Sequence, residues 1–349
     1  MKVAMYYSNK DLRIEEMPIP KIGADELLVK VMASGICGSD VMEWYRKKKA
    51  PNVLGHEIAG EIVEVGQIFR SAYKKGDRVF VSHHVPCNEC SYCKKGYHTL
   101  CDTLRTTNFE PGGFAEYIRI PKINIEKGGV YLLPQEMTFE EATFIEPLAC
   151  VIRGQQLIKV QKGDTVLVLG SGISGLLHIQ LAKVYGAEKI IATDINDYRL
   201  KAAEKLGADV IIRDNSQSPT PNLQPPITAN RIIICTSALR AFKQAFYSVE
   251  RAGTILFFAP TEPGIEIPLP LFELWNKQVT LISTYAAVSQ DINESIELIR
   301  THKIKVNEMI THRLKLEETG LGFQIVEQAR NSIKVIIEPH TLCDYSPRK

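Results

Sequence analysis

The chain has 349 residues, 45% of them apolar and 23% charged, with a formal net charge of +2. That length suits two domains with ample core, and the near-neutral balance suggests neither a nucleic-acid partner nor a membrane surface. The N-terminus "MKVAMYYSNKDLRIEEMP" has no apolar signal core, and no stretch reaches the ~18 apolar residues of a membrane span, so a cytoplasmic protein is expected. In that compartment eight cysteines read as metal or redox chemistry before disulfides.

Up to about residue 120 the chain shows short alternating runs broken by glycine and proline: "ELLVKVMASG", "EIAGEIVEVG", "DRVFVSHHV" and "GGFAEYIRI". Period-two apolar spacing with frequent turn residues predicts short strands in a barrel-like β domain. Between the first two runs lies "GICGSDVMEW" (35–44), where Cys37 occupies a small turn. A thiol there is a core residue, a nucleophile or a metal ligand, and the turn offers no base to activate a nucleophile. "YRKKKA" (45–50) reads as a solvated basic turn, and "GHEIAGEIVEVG" (55–66) carries His56 and Glu57 on a glycine-spaced bend.

"CNECSYCKKGYHTLC" then sets Cys87, Cys90, Cys93 and Cys101 at C-x2-C-x2-C-x7-C. Four thiolates this close suit a tetrahedral zinc site that four protein ligands close, hence a structural one. A ferredoxin-like run also begins C-x2-C-x2-C, but takes x3 and a proline around its fourth cysteine; here the arm is longer and Asp102 follows Cys101. His83, His84 and His98 read as surface or strand-end residues.

Near residue 139 the character changes. "FEEATFIEPLACVIRGQQLI" is helix-like, and Cys150 reads as packing within it; "DTVLVLGSGISGLLHIQLAKVYG" predicts a buried strand at 165–169, a glycine turn and a helix at 173–185. "KIIATDI" and "NDYRLKAAEKLGA" repeat strand and helix, as do "RIIICTS", "AFKQAFYSVERAG" and "TILFFAP", so βαβ units and a parallel sheet follow. The polar, proline-rich stretch 214–226 argues against a helix there. Gly170, Gly172 and Gly175, with Ser174 in the same turn, form G-x-G-x-x-G between strand and helix, the context that makes this motif a dinucleotide fingerprint. Asp194 closes the next strand about twenty residues on, placed to bind an adenosine ribose and repel a 2′-phosphate. That favours NAD over NADP, while Arg199, a turn later, is the residue able to accept such a phosphate.

These motifs together resemble the zinc-dependent medium-chain alcohol dehydrogenases nearly end to end: the Cys37 turn, "GHE", "GDRV" (76–79), the four-cysteine lobe, "GGFAEY" (112–117), "GSGISG" and "TDINDYRLKAAEKLGA" (193–208). The resemblance implies an α/β architecture: a GroES-like β-barrel catalytic domain over 1–147, a doubly wound Rossmann domain over 148–283, and a return to the first domain over 284–349. It also implies one catalytic and one structural zinc per chain, NAD, a small alcohol substrate in the cleft between domains, and a homodimer or homotetramer. The family's catalytic zinc ligands fall on Cys37, His56 and Glu146. "IEPLAC" looks like the polyol, sorbitol-like branch, in which this glutamate and the one after histidine (Glu57) share or exchange the metal contact. Ser39 matches the hydroxyl that takes the substrate proton.

Two substrate-side positions depart from that branch. Met42 stands where many polyol relatives carry a relay histidine, with Glu43 beside it and Trp44 matching, and Thr284 replaces an arginine before Tyr285. Glu43, Trp44, Phe109 and Tyr285 are the pocket candidates. Simple secondary alcohols or threonine are alternative substrates, and a zinc-stabilised NAD sensor without turnover is the rival of another class.

Overall fold

The computed structural model describes residues 1–214 and 227–340, and within them the chain divides into two compact units. The first comprises Met1–Pro147, Val288–Arg300 and the chain from Val306 on; the second comprises Leu148–Ala287 and Thr301–Lys305. The proline-rich stretch lies outside the described residues from 215 to 226, so the reading made of it has no structural counterpart here. Among the described residues no helix is long and apolar enough to cross a membrane.

The first unit is the β domain. Its strands are β1 (Lys2–Ser8), β2 (Asp11–Glu16), β3 (Leu27–Gly35), β4 (Asn52–Val53), β5 (Glu57–Val65), β6 (Arg78–Val81), β7 (Tyr117–Ile120) and β8 (Val130–Leu132). Val29, Val31, Ile58, Ile62, Val79, Val81, Ile118 and Ile120 are all fully buried, which is where the alternating pattern put the apolar face. β3 is the hub, pairing antiparallel with β5 through Gly35↔Glu57 and with β7 through Val29↔Ile118.

The second unit carries β9 (Thr165–Leu169), β10 (Lys189–Asp194), β11 (Val210–Arg213), β12 (Ala229–Ile234), β13 (Val249–Phe257) and β14 (Thr280–Ser283). They form one parallel sheet in the order β11-β10-β9-β12-β13-β14. That is the Rossmann order, reversing beside the first strand, where such sheets bind dinucleotides. Val166, Leu167, Val168 and Leu169 are fully buried, as a strand covered on both faces requires. The helix-like segment after residue 139 is two helices, Phe139–Ala142 and Ile145–Leu157, interrupted at Thr143 and Phe144. The first is a single turn: Thr138 and Glu141 form a capping box at its start, and Thr143 is its C-cap.

The chain then returns through β15 (Ile310–Lys315) and β16 (Lys334–Glu338). β16 pairs antiparallel with β3 at Ile336↔Gly35 and Ile337↔Ser34, so residues some three hundred positions apart become neighbours in one sheet. The first unit's larger sheet is therefore seven-stranded, ordered β15-β16-β3-β5-β6-β8 with β7 also on β3. This register matters because β3 runs directly into the Cys37 turn and β5 begins directly after His56.

Candidate metal centre and dinucleotide site

Among the described residues, two groups of donors in the first unit could each hold a metal ion. Cys37, His56 and Glu57 present a sulfur, a ring nitrogen and a carboxylate oxygen within 4.8 Å of one another, and Cys87, Cys90, Cys93 and Cys101 do the same with four sulfurs.

The three-donor group is tightly held. The Cys37 sulfur accepts the Ser39 N–H at 3.4 Å, and the Cys37 N–H donates to Asp40 Oδ2 at 3.1 Å. Asp40, fully buried, also faces His56 Nδ1 through Oδ1 at 3.5 Å. A carboxylate on the far nitrogen of a ligating imidazole sets its tautomer and raises its basicity. Burial opposes a proton on His56, yet Asp40 on one side and Cys37 on the other hold its pKa well above the ordinary value. A metal ion takes a neutral imidazole and a thiolate, so its binding there would release whatever protons the two groups carry. Burial likewise opposes the charge on Asp40, but His56, Arg46 and the Cys37 N–H keep its pKa below the usual carboxylate range.

Arg46 is the residue that sequence reasoning missed. It belongs to "YRKKKA", read as a solvated turn, and its neighbours Lys47, Lys48 and Lys49 are indeed exposed. Its own guanidinium turns inward, donating from Nε to the Ser39 carbonyl at 2.9 Å and from Nη2 to Ser39 Oγ at 2.8 Å and Asp40 Oδ1 at 3.2 Å. The helix Glu43–Arg46 makes this possible, because its one turn carries Arg46, its last residue, back over the Cys37 loop.

The histidine reading also changes. His83 and His84 lie just past the end of β6, as the strand-end alternative had it, but are half-buried rather than on the surface: the His83 ring lies 4.9 Å from His56 and 3.7 Å from His84, and His83 Nδ1 is buried without a partner. Burial, chiefly, pushes both well down, His84 to about 3, so they form a neutral wall beside the metal group. Glu146 lies in the first turn of Ile145–Leu157, half-buried and engaged in an interaction, but outside the three-donor group; Cys150, one turn on, is half-buried in the same helix. Among the pocket candidates, Glu43 pairs with Lys47 at 3.8 Å and Trp44 tilts against Tyr45 at 5.8 Å, both on the helix after the Cys37 turn. Tyr285 belongs to the second unit and is 43% exposed. Phe109 is a correction: it is 1% exposed in the core with Val29, Ile58 and Ile118, so it offers no surface to a substrate.

In the four-cysteine lobe the sulfurs of Cys87 and Cys101 lie 3.5 Å apart and those of Cys87 and Cys93 4.0 Å. Zinc at about 2.3 Å from each sulfur sets tetrahedral sulfurs about 3.8 Å apart, so the lobe fits the ion. The N–H groups of Glu89 and Cys90 point at the Cys87 sulfur and that of Cys87 at Cys101. Burial would raise Cys101, but the Cys87 and Leu104 N–H groups outweigh it and bring the thiol down to about 6, towards the thiolate a metal needs.

The second unit holds the glycine turn. Gly170 has φ +95°, in the left-handed region, and a Cβ on Gly175 would overlap the Gly170 carbonyl oxygen, so both are required by the turn itself. Gly172 differs: a Cβ there would meet nothing nearer than an Arg199 guanidinium nitrogen at 3.7 Å. The space it leaves is not filled by protein, as close approach of a pyrophosphate to the helix Ile173–Val184 demands. Ser174 lies in the first turn of that helix. Asp194 accepts from the Ser171 N–H at 2.7 Å and the Asn196 N–H at 2.9 Å, one on each oxygen, which fixes the carboxylate with a lone pair to spare on each. Arg199 lies over Gly172, its Nε buried without a partner.

A Rossmann sheet with this turn, together with a Cys–His–carboxylate group and a four-thiol lobe, defines a zinc-dependent dehydrogenase. Residues 23–129 match the family model of the alcohol dehydrogenase GroES-like domain, and residues 174–301 that of the zinc-binding dehydrogenases. The sorbitol dehydrogenase of Bacillus subtilis (strain 168) is 31% identical, over 97% of this chain and 98% of its own. Among solved structures, an alcohol dehydrogenase from E. coli CFT073 complexed with NADH aligns at TM-score 0.85 and 29% identity, covering 97% of this chain and 99% of that one. A zinc-binding dehydrogenase of Sinorhizobium meliloti 1021 bound to NADP aligns at 0.84 and 26%, with the same coverage. The chain belongs to the zinc-binding alcohol dehydrogenase family, and it is an oxidoreductase built on a GroES-like domain and a Rossmann domain.

Proposed function

We propose that this enzyme interconverts a secondary hydroxyl of a polyol, sugar or cyclitol with the corresponding ketone, passing hydride reversibly to and from NAD in a cytoplasmic setting. The observation that carries this reading is the Cys37–His56–carboxylate group with Ser39 held beside it. Cys37, His56 and a glutamate, Glu146 by family position and Glu57 by proximity, would hold zinc with one position open. Zinc bound there supplies a Lewis acid that lowers the pKa of an alcohol towards neutrality. Ser39 takes the released proton: Arg46 occupies one lone pair of its oxygen, leaving the other for the alcohol O–H and its own hydrogen to donate onward. Met42 cannot continue that relay, so the proton leaves Ser39 for the cofactor ribose or for water. Asp40 keeps the His56 ring in place throughout.

Turnover by the zinc-replete enzyme across polyols, cyclitols, aldoses, simple secondary alcohols and threonine tests the substrate class. Rates confined to plain secondary alcohols would reject the polyol reading in favour of a pocket marked by Met42, Glu43 and Thr284. For the cofactor, Asp194→Gly should raise the NADP-to-NAD ratio of kcat/KM by about 10–100-fold, the worth of removing a ribose hydrogen bond and a like charge. An unchanged ratio would mean that Arg199, lying over Gly172, sets cofactor choice. We also read the enzyme as a homodimer or homotetramer. Leu271, Phe272 and Trp275 are 71%, 69% and 71% exposed on one short helix, an apolar surface of the kind that partners cover. Light scattering that returned the mass of one chain would reject this.

A further inference from the structure

The second unit holds a basic cavity at the far end of the helices that carry the dinucleotide turn. Its volume is about 430 Å³, and four lysines line it: Lys183, Lys205, Lys303 and Lys305. Among the described residues no carboxylate lines it. Three separate stretches of chain supply these lysines, all within the second unit. Lys183 stands in the last turn of the helix Ile173–Val184, and Lys205 in the last turn of the helix Asp197–Leu206. The segment Thr301–Lys305 brings the other two, and buried Gln180 pins it by accepting the Lys305 N–H at 2.8 Å. Ile304 is buried between Lys303 and Lys305, which are both turned outward.

Helix dipoles account for two of these charges. A cation in a last turn complements the partial negative charge of the helix end, and the Lys183 side chain lies against Gly207, the C-cap of Asp197–Leu206. Lys303 and Lys305 belong to no helix, yet they bring two more like charges to the same cavity. Such crowding is unfavourable, modestly so where water reaches it, and a bound anion reverses its sign. Lys205 and Lys305 also take part in other interactions. What marks the cavity is the convergence of four ammonium groups, not a missing partner at any one. The helix Ile173–Val184 has 12 residues, so the cavity lies about 18 Å from the glycine turn at its start. Pyrophosphate of a cofactor approaching that turn therefore leaves these lysines unused.

We propose that this cavity is a second anion site, for a small molecule carrying two or more linked phosphates. A single phosphate brings up to about two negative charges and leaves four ammonium groups half matched. Linked phosphates, as in pyrophosphate or a nucleotide, come close to balance. The volume falls within the ~300–1,000 Å³ of pockets that take small molecules. Lysine suits the role, because its ammonium meets a phosphate as a point charge and needs no fixed fork geometry. The test uses full-length, zinc-replete enzyme saturated with NADH, which fills the glycine turn, titrated calorimetrically with pyrophosphate and with ATP at about 0.1 M salt. At least one of the two should bind one equivalent with Kd below about 1 mM. Lys303→Ala/Lys305→Ala should weaken that binding on the order of tenfold or more. Both lysines are exposed, so the variant keeps its fold. Lys74→Ala/Lys75→Ala removes the same charge from exposed positions in the first unit and should change Kd by less than about twofold.

ATP binding tighter than pyrophosphate would identify a nucleotide as the occupant, and equal affinities would identify a site that reads the phosphates alone; both uphold the proposal. No binding of either anion by the wild-type enzyme would overturn it. So would undiminished binding in Lys303→Ala/Lys305→Ala, which would put the anion elsewhere, at the metal centre for instance. An equal loss in Lys74→Ala/Lys75→Ala would reduce the effect to the overall field of the protein and would sink the cavity as a site.

Discussion

His56→Ala is expected to lower kcat/KM for alcohol oxidation by at least about a thousandfold, a loss of roughly 4 kcal/mol of transition-state stabilisation. The imidazole is the one neutral donor of the three-donor group, and its removal leaves Cys37 and a carboxylate unable to hold the ion in a defined geometry. It also strips buried Asp40 of its imidazole partner, leaving Arg46 to compensate the charge. Zinc content should fall from two ions per chain to one while NADH binding, in the other unit, persists. Asp40→Asn is the graded control. It keeps every metal donor but alters the group behind His56, and should cost about 10–100-fold in metal affinity or rate. A His56→Ala protein that retained both zinc ions and full turnover would mean that the three donors hold no catalytic metal.

Cys101→Ser should lower the melting temperature by about 10 °C with only a secondary effect on the chemistry. Structural zinc contributes about 10–16 kcal/mol in isolated zinc-binding peptides. A lobe attached to a folded domain needs only part of that, and a loss of about 3–5 kcal/mol translates to about 2–4 °C per kcal/mol in a domain of this size. The reason is local: the Cys87–Cys101 segment holds only one-turn helices, Ser91–Lys94 and His98–Leu100, so few apolar contacts replace the metal. Calorimetry with parallel metal analysis checks this, and limited proteolysis should cut the variant within the lobe. An unchanged melting temperature would remove the structural role, and iron with visible absorption in anaerobically purified protein would replace zinc by a cluster.

The architecture was legible because its signals are short-range. β9 and the helix Ile173–Val184 lie where the buried run and the glycine turn predict them, and Asp194 is the last residue of β10. Phe109 misled because an aromatic side chain reads the same in sequence whether it faces a pocket or, as here, the core of the β sheet.

The sequence by itself determined the α/β class, the glycine turn with its acidic partner, and the four-thiol lobe, because each is complete within about thirty residues and its geometry follows from spacing. Joining Cys37 to His56 and a glutamate took a family resemblance, since the turn after β3 and the start of β5 meet only through strand pairing. The tertiary structure alone decided the surroundings of that group. Arg46 looked like one more solvated cation, and nothing local marked the strand-end His83 as packing against His56. Lys334 sat unremarked in an apolar strand 277 residues from Glu57, the carboxylate it neutralises. The physical reason is that a charge can be buried only where a partner waits, and which partner waits is set by the lateral order of strands, information that no local stretch of the chain contains.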